Sequence, residues 1–162
     1  TISTTRRYNS ISVSNNSTLT ISGDVTLYVT GSFTLSNNSS LVITDGSTLR
    51  LYVDGAVGIS NAAQLNTSAY PGRCYIYMRG SGQAFTLSNT ARCHAHLRNP
   101  LGQVTISSDS SEPSLFTGTI AAASATLSNR ASIRLDCGPL GGSGTGGGTG
   151  GGGGLAIVGY TD

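Results

Sequence analysis

The chain has 162 residues and a mass of 16.4 kDa, with a formal net charge of +2, 10% charged residues and nine basic residues, all of them arginine. That length suits one domain, and so sparse a basic content excludes the clustered positive face of a nucleic-acid binder. No apolar run approaches the roughly 20 residues of a membrane span, and Thr1–Arg7 lacks the apolar stretch of a secretory signal, so an exported form would be the processed one.

After an N-terminal segment, residues 1–10, one short pattern recurs: an apolar residue, then Ser, Thr or Gly, a second apolar residue, Ser, and Asn or Ser. Its copies are Ile11–Asn15, Phe33–Asn37, Val57–Asn61, Phe85–Asn89, Val104–Ser108 and Ala125–Asn129. A spacing of about 23 residues is one coil of three short strands, which predicts an all-β fold: a single-stranded right-handed β-helix, or β-solenoid, of about six rungs over residues 11–138. Because strand side chains alternate between faces, Ile11 and Val13, Phe33 and Leu35, and their counterparts are expected to stack as two interior columns. Ser12, Thr34, Gly58, Thr86, Thr105 and Thr126 then line the outside.

Asn15, Asn37, Asn61, Asn89 and Asn129 close five of the copies. Asparagine tolerates left-handed backbone and bonds its neighbours, so these five are predicted to form a structural ladder at one bend. Leu19, Leu41, Leu65, Cys93 and Ile133, four residues further on, begin the next inward column. Triplets beginning at Asn15, Asn16, Asn37, Asn38 and Asn66 have the form of N-glycan acceptors, which matters for a secreted chain.

A second strand repeats as Leu27–Gly31, Leu51–Gly55 and Ile76–Gly80. With the aliphatics pointing inward, Tyr28, Tyr52 and Tyr77 form an outer stripe beside Asp54 and Arg79, and the glycines mark a corner. The stripe serves either ordinary sheet packing or a sugar or protein surface.

These strands carry a resemblance. Val25–Asn37 (VTLYVTGSFTLSN) and Leu115–Asn129 (LFTGTIAAASATLSN) resemble an uncharacterised β-helix domain of exported prokaryotic surface and pilus-associated, PilX-like proteins. That domain reads as an LYVxG strand, an LSGN bend and a late FxGxIYAPxAxVxLSGN segment. The resemblance spans roughly residues 10 to 137 and implies an exported structural role with no known catalytic residues. Here Asn follows Ser without the intervening glycine, and residues 138–162 have no counterpart.

Cys74, Cys93 and Cys137 fall on inward phases; one disulfide, pairing Cys74 with Cys93 or Cys137, or three buried thiols both fit the spacing. His94 and His96 share a strand face, but a third ligand is missing and Arg73, Arg92 and Arg98 oppose a cation. They are therefore predicted to be solvent-facing histidines, with no metal and no cofactor. The acids do not recur at one rung position, and Asp109 with Glu112 is the one close pair, so no enzyme is expected.

Residues 139–154 form a glycine-rich linker, and residues 155–162 a C-terminal strand in which Leu155, Ala156, Ile157 and Val158 are the self-assembly segment. The expected function is a structural subunit of an extracellular filament or cell-surface assembly, self-associating through solenoid ends and the tail strand. The alternative is a carbohydrate- or surface-binding adhesin module using the tyrosine stripe or the hydroxyl face. The expected partners are the protein itself and glycans, with no nucleic acid and no membrane span.

Overall fold

A computed structural model describes residues 1–109 and 112–135; Cys137, the glycine-rich linker and Leu155–Val158 lie outside the described residues. The strands, in chain order, are β1 (Arg6–Tyr8), β2 (Ile11–Val13), β3 (Thr18–Ile21), β4 (Asp24–Val29), β5 (Phe33–Leu35), β6 (Ser40–Ile43) and β7 (Thr48–Val53). They continue as β8 (Val57–Ile59), β9 (Gln64–Leu65), β10 (Cys74–Met78), β11 (Phe85–Leu87), β12 (Arg92–Ile106), β13 (Leu115–Leu127) and β14 (Ser132–Arg134). A single 3-10 turn at Pro71–Arg73 is the one helical piece among the described residues.

All the pairings are parallel, and they wind the chain into a β-solenoid of about five turns with three faces. The first face stacks β1, β4, β7, β10 and the middle of β12; the second stacks β2, β5, β8, β11 and the end of β12; the third stacks β3, β6, β9 and the start of β12. β13 adds a further rung along all of β12, and β14 follows it on the third face. Ile2 bridges to Ile21 and β1 pairs with β4, so the opening residues belong to the same stack as the repeats.

The repeated motif occupies the second face in unbroken register. Ile11, Phe33, Val57, Phe85, Val104 and Ala125 sit over one another, as do Val13, Leu35, Ile59, Leu87, Ile106 and Leu127. Six motif strands are thus carried on five turns. On the third face Leu19, Leu41, Leu65 and Cys93 continue through Phe116 to Ile133. Leu35, Ile59, Leu87 and Phe116 are completely buried, and each such aliphatic or aromatic side chain contributes about 1.5–3 kcal/mol by leaving water.

The bend after each motif strand is a pair of left-handed residues: Asn15–Asn16, Asn37–Asn38, Asn61–Ala62, Asn89–Thr90 and Asn129–Arg130, with φ between 51 and 64°. Backbone bonds close each pair, as from Ser17 N to Ser14 O at 3.2 Å and from Ala63 N to Ser60 O at 3.2 Å. Positive φ at both central residues is the type I′ geometry, for which asparagine is among the best-suited residues. The copy ending in Ser108 departs from it: Ser108 is buried, and its hydroxyl donates to Glu112 O at 2.6 Å.

The corner between the first and second faces is closed by stacked glycines. A Cβ on Gly55 would stand 2.6 Å from the Gly31 carbonyl, and one on Gly80 only 1.9 Å from Asp54 O. The rungs therefore approach backbone to backbone where the LYVxG-like strands end.

Candidate functional site

The outer surface of the first face concentrates the chain's aromatic and cationic side chains. Residue alternation turns Leu27, Leu51, Ile76 and Leu97 inward, which leaves Arg7, Tyr28, Tyr52, Tyr77, Arg98 and Ala121 as one outward column. The Tyr28 and Tyr52 ring centres lie 5.2 Å apart and those of Tyr52 and Tyr77 4.8 Å, each pair within 15° of parallel. Each such contact stabilises the stack by about 0.5–1.5 kcal/mol beyond its buried area. Close stacking turns the ring faces toward one another, so the stripe presents ring edges and hydroxyls.

Beside it runs a second outward column, Thr26, Arg50, Tyr75, His96 and Thr119. His96 stacks on Tyr75 at 5.2 Å, and its Nδ1 lies 2.9 Å from Thr119 Oγ1. On the other flank Arg79 binds Asp54 with two bonds, at 2.8 and 3.0 Å, and its guanidinium lies 5.9 Å from the Tyr52 ring centre. Asp45 is taken by Arg73 at 2.7 Å. Arg7, Arg50 and Arg98 have no carboxylate partner among the described residues.

At the end of the tyrosine column the chain makes a protrusion that the repeat pattern does not announce. The pairing of β12 with β13 shifts between Asn99 and Gln103. Asn99, fully buried, anchors the bulge by donating from Nδ2 to Gln83 O at 3.0 Å and to Gln103 O at 3.2 Å. Gly102 is pressed so closely against Gln83 O and the Asn99 amide that a Cβ would stand 2.0 Å from the former. The bulge holds Pro100 and Leu101 outward, with Leu101 59% exposed. Tyr52, Tyr77, Met78, Arg79, Arg98, Pro100 and Leu101 line a hollow of about 270 Å³, and a second of about 600 Å³ lies between Arg98, Pro100, Ala121 and Ala122.

The asparagine positions are linked by side-chain bonds. Asn37 Nδ2 donates to Asn15 Oδ1 at 3.4 Å, Asn61 to Asn37 at 3.0 Å and Asn89 to Asn61 at 3.0 Å. Ser108 interrupts the series, and Asn129 donates instead to Asp109 at 3.5 Å. Of the candidate glycan acceptors, Asn15, Asn16, Asn37 and Asn38 are exposed at the bend. Asn66 is not available: it is fully buried, and its Nδ2 donates to both Tyr70 O and His94 O, at 2.8 and 2.9 Å.

Cys74 and Cys93 are buried thiols not bonded to each other, and the pairing with Cys137 lies outside the described residues. Burial pushes both pKa values up, and in Cys93 the nearby charge of Cys74 adds to the effect. The two histidines part company. His96 faces outward, whereas His94, expected in solvent, is 9% exposed beneath the loop pinned by Asn66. Its pKa is lowered from 6.5 by burial and then by the Arg92 charge. Among the described residues no three His, Cys, Asp or Glu side chains gather as a metal site, and no helix is long and apolar enough to cross a membrane.

Arg98, Pro100 and Leu101 escape a reading of the sequence, because β12 lacks the LYVxG pattern that aligns the earlier rungs. Arg98, two residues after His96 in a strand of alternating burial, is the one sign that the outward column continues. No curated protein and no solved structure matches the chain. The sequence does match a family described as a domain of unknown function, DUF7305, over residues 7–138, nearly all of the β-solenoid, and the chain belongs to that family.

Proposed function

We propose that the protein is a structural subunit of an extracellular filament or cell-surface assembly, self-associating end to end. The observation that carries this reading is the incomplete burial of the apolar columns at both solenoid ends. At the C-terminal end β14 pairs only with β13 among the described strands, Leu127 is 38% exposed, and Ile120, Ala125 and Ile133 are only partly buried. An apolar parallel edge of that kind is a template for another strand. At the other end Ile2, Ile11, Val13 and Leu19 are likewise only partly buried, and β1, which sets Arg6 and Tyr8 over Leu27 and Val29, pairs only with β4 among the described strands. In this proposal Leu155–Val158 of one copy supplies the covering strand of the next. The extracellular setting and the non-enzymatic role in this proposal are supported by the sequence resemblance to exported surface and pilus-associated domains, which have no known catalytic residues.

The test compares the full chain, Leu127→Asp, and a chain ending at Cys137 by sedimentation and negative-stain microscopy. Concentration-dependent linear assemblies of the full chain, lost in both variants, are expected. A full chain that stays monomeric, or assemblies that form equally without the tail, would overturn the mechanism. The second reading, a carbohydrate- or surface-binding adhesin module, is favoured by one observation: the exposed hollows beside the tyrosine column.

A further inference from the structure

The two hollows share Arg98 and Pro100, and together they follow the solenoid axis from Tyr52 to Ala122. A trough that extends across several rungs suits a linear ligand better than a compact one. Its chemistry is mixed. Leu101, Pro100, Ala121 and Ala122 give apolar walls, Tyr52 and Tyr77 give phenol groups at the spacing of the rungs, and Arg98 gives a cation.

Arg98 differs from its neighbour. The Arg79 guanidinium is satisfied by Asp54 through two bonds, while Arg98 is exposed and has no acidic partner among the described residues. A planar guanidinium with free donors binds a carboxylate or sulfate through two parallel bonds. The protrusion beside it is fixed: the buried Asn99 amide and the glycine contact at Gly102 hold Leu101 in water, where an apolar side chain gains nothing by itself.

We propose that this trough binds an acidic polysaccharide, with Arg98 gripping the anionic group of one sugar while the Tyr52 and Tyr77 hydroxyls bond ring hydroxyls and Leu101 packs on the sugar's C–H face. The inference rests on the adhesin reading and names its ligand class. A single-stranded nucleic acid fits less well, because its bases need open aromatic faces and the tyrosine rings spend theirs on each other.

Binding is measured by isothermal titration on the full chain with polygalacturonate, dextran sulfate, neutral dextran and a single-stranded oligonucleotide. The proposal expects binding to at least one of the two acidic polysaccharides, weakened on the order of tenfold by Arg98→Gln and also weakened by Leu101→Ala. Arg134→Gln, on the third face, should leave it unchanged, and circular dichroism of each variant checks the fold. Polygalacturonate and dextran sulfate separate carboxylate from sulfate recognition. Binding to neutral dextran alone would overturn the acidic ligand while keeping the adhesin reading, and no polysaccharide binding would overturn both. Equal affinity in Arg98→Gln, or a preference for the oligonucleotide, would overturn the proposal.

Discussion

Gly55 and Gly58 lie three residues apart, and the same substitution is expected to act on them with opposite sign. Neither has a positive φ, so the difference is one of space. A Cβ at Gly58 would meet Thr86 Oγ1 at 3.5 Å and Thr34 Cγ2 at 3.8 Å, ordinary contacts within the outer hydroxyl column. Gly58→Ala should therefore stabilise the fold by about 0.5–1 kcal/mol, by restricting the unfolded chain. A Cβ at Gly55 would stand 2.6 Å from both the carbon and oxygen of the Gly31 carbonyl and 3.0 Å from Ser32 N, all backbone atoms of the rung below. Gly55 N also donates to Gly31 O at 3.0 Å, so the corner cannot spread without loosening that bond. Overpacking of this kind costs about 1–3 kcal/mol. Urea unfolding followed by circular dichroism should place the two midpoints on opposite sides of wild type, roughly 1–2 M apart for a slope near 2 kcal/mol/M. If Gly55→Ala unfolded at or above the wild-type midpoint, the backbone-to-backbone stacking of the corners would be wrong.

Asn61→Gly keeps the left-handed backbone but removes two ladder bonds, and should lose about 1–2 kcal/mol; Asn61→Ala should lose roughly 1 kcal/mol more for its positive φ, and equal stabilities in urea would contradict the division. His94 titrates lower in the folded chain than its ordinary 6.5, so the unfolded state takes up its proton first. Stability is expected to fall as pH drops through and below 6.5, and His94→Gln should flatten that part of a urea-midpoint profile; an unchanged slope would remove His94 as its source. Burial of Cys74 and Cys93 predicts that neither is alkylated by iodoacetamide in the native chain and both are in denaturant, as peptide mapping will show; native labelling of either would contradict their placement.

The second face was legible because its motif survives in every copy: the alternation around Leu35, Ile59 and Leu87 states both burial and register, and the terminal asparagines mark where the chain turns. Legibility fades where the pattern is not local. Phe116 completes the column of Leu65 and Cys93 although the segment before it, Asp109–Ser114, has no asparagine bend to set the phase. His94 alternates as an outward residue, yet it is buried, and Asn66, 28 residues earlier, bonds its carbonyl, a tertiary contact that no spacing encodes. The trough depends likewise on Asn99 reaching Gln83 across a coil. The stacked tyrosine stripe was readable, but the near-parallel planes of its rings emerge only once three rungs are superposed.

The interruption at Ser108 has a mechanical meaning. Hydrogen bonds between parallel rungs point along the solenoid axis, so tension applied end to end loads each rung-to-rung junction in series, and such a column parts at its weakest joint. Asn15, Asn37, Asn61 and Asn89 reinforce the junctions up to the fourth motif copy, whereas the next lacks that amide rivet and the last has only the 3.5 Å bond from Asn129 to Asp109. Under a pull the molecule should open beyond Asn89 first, which makes its C-terminal coils the fuse of any thread built from it.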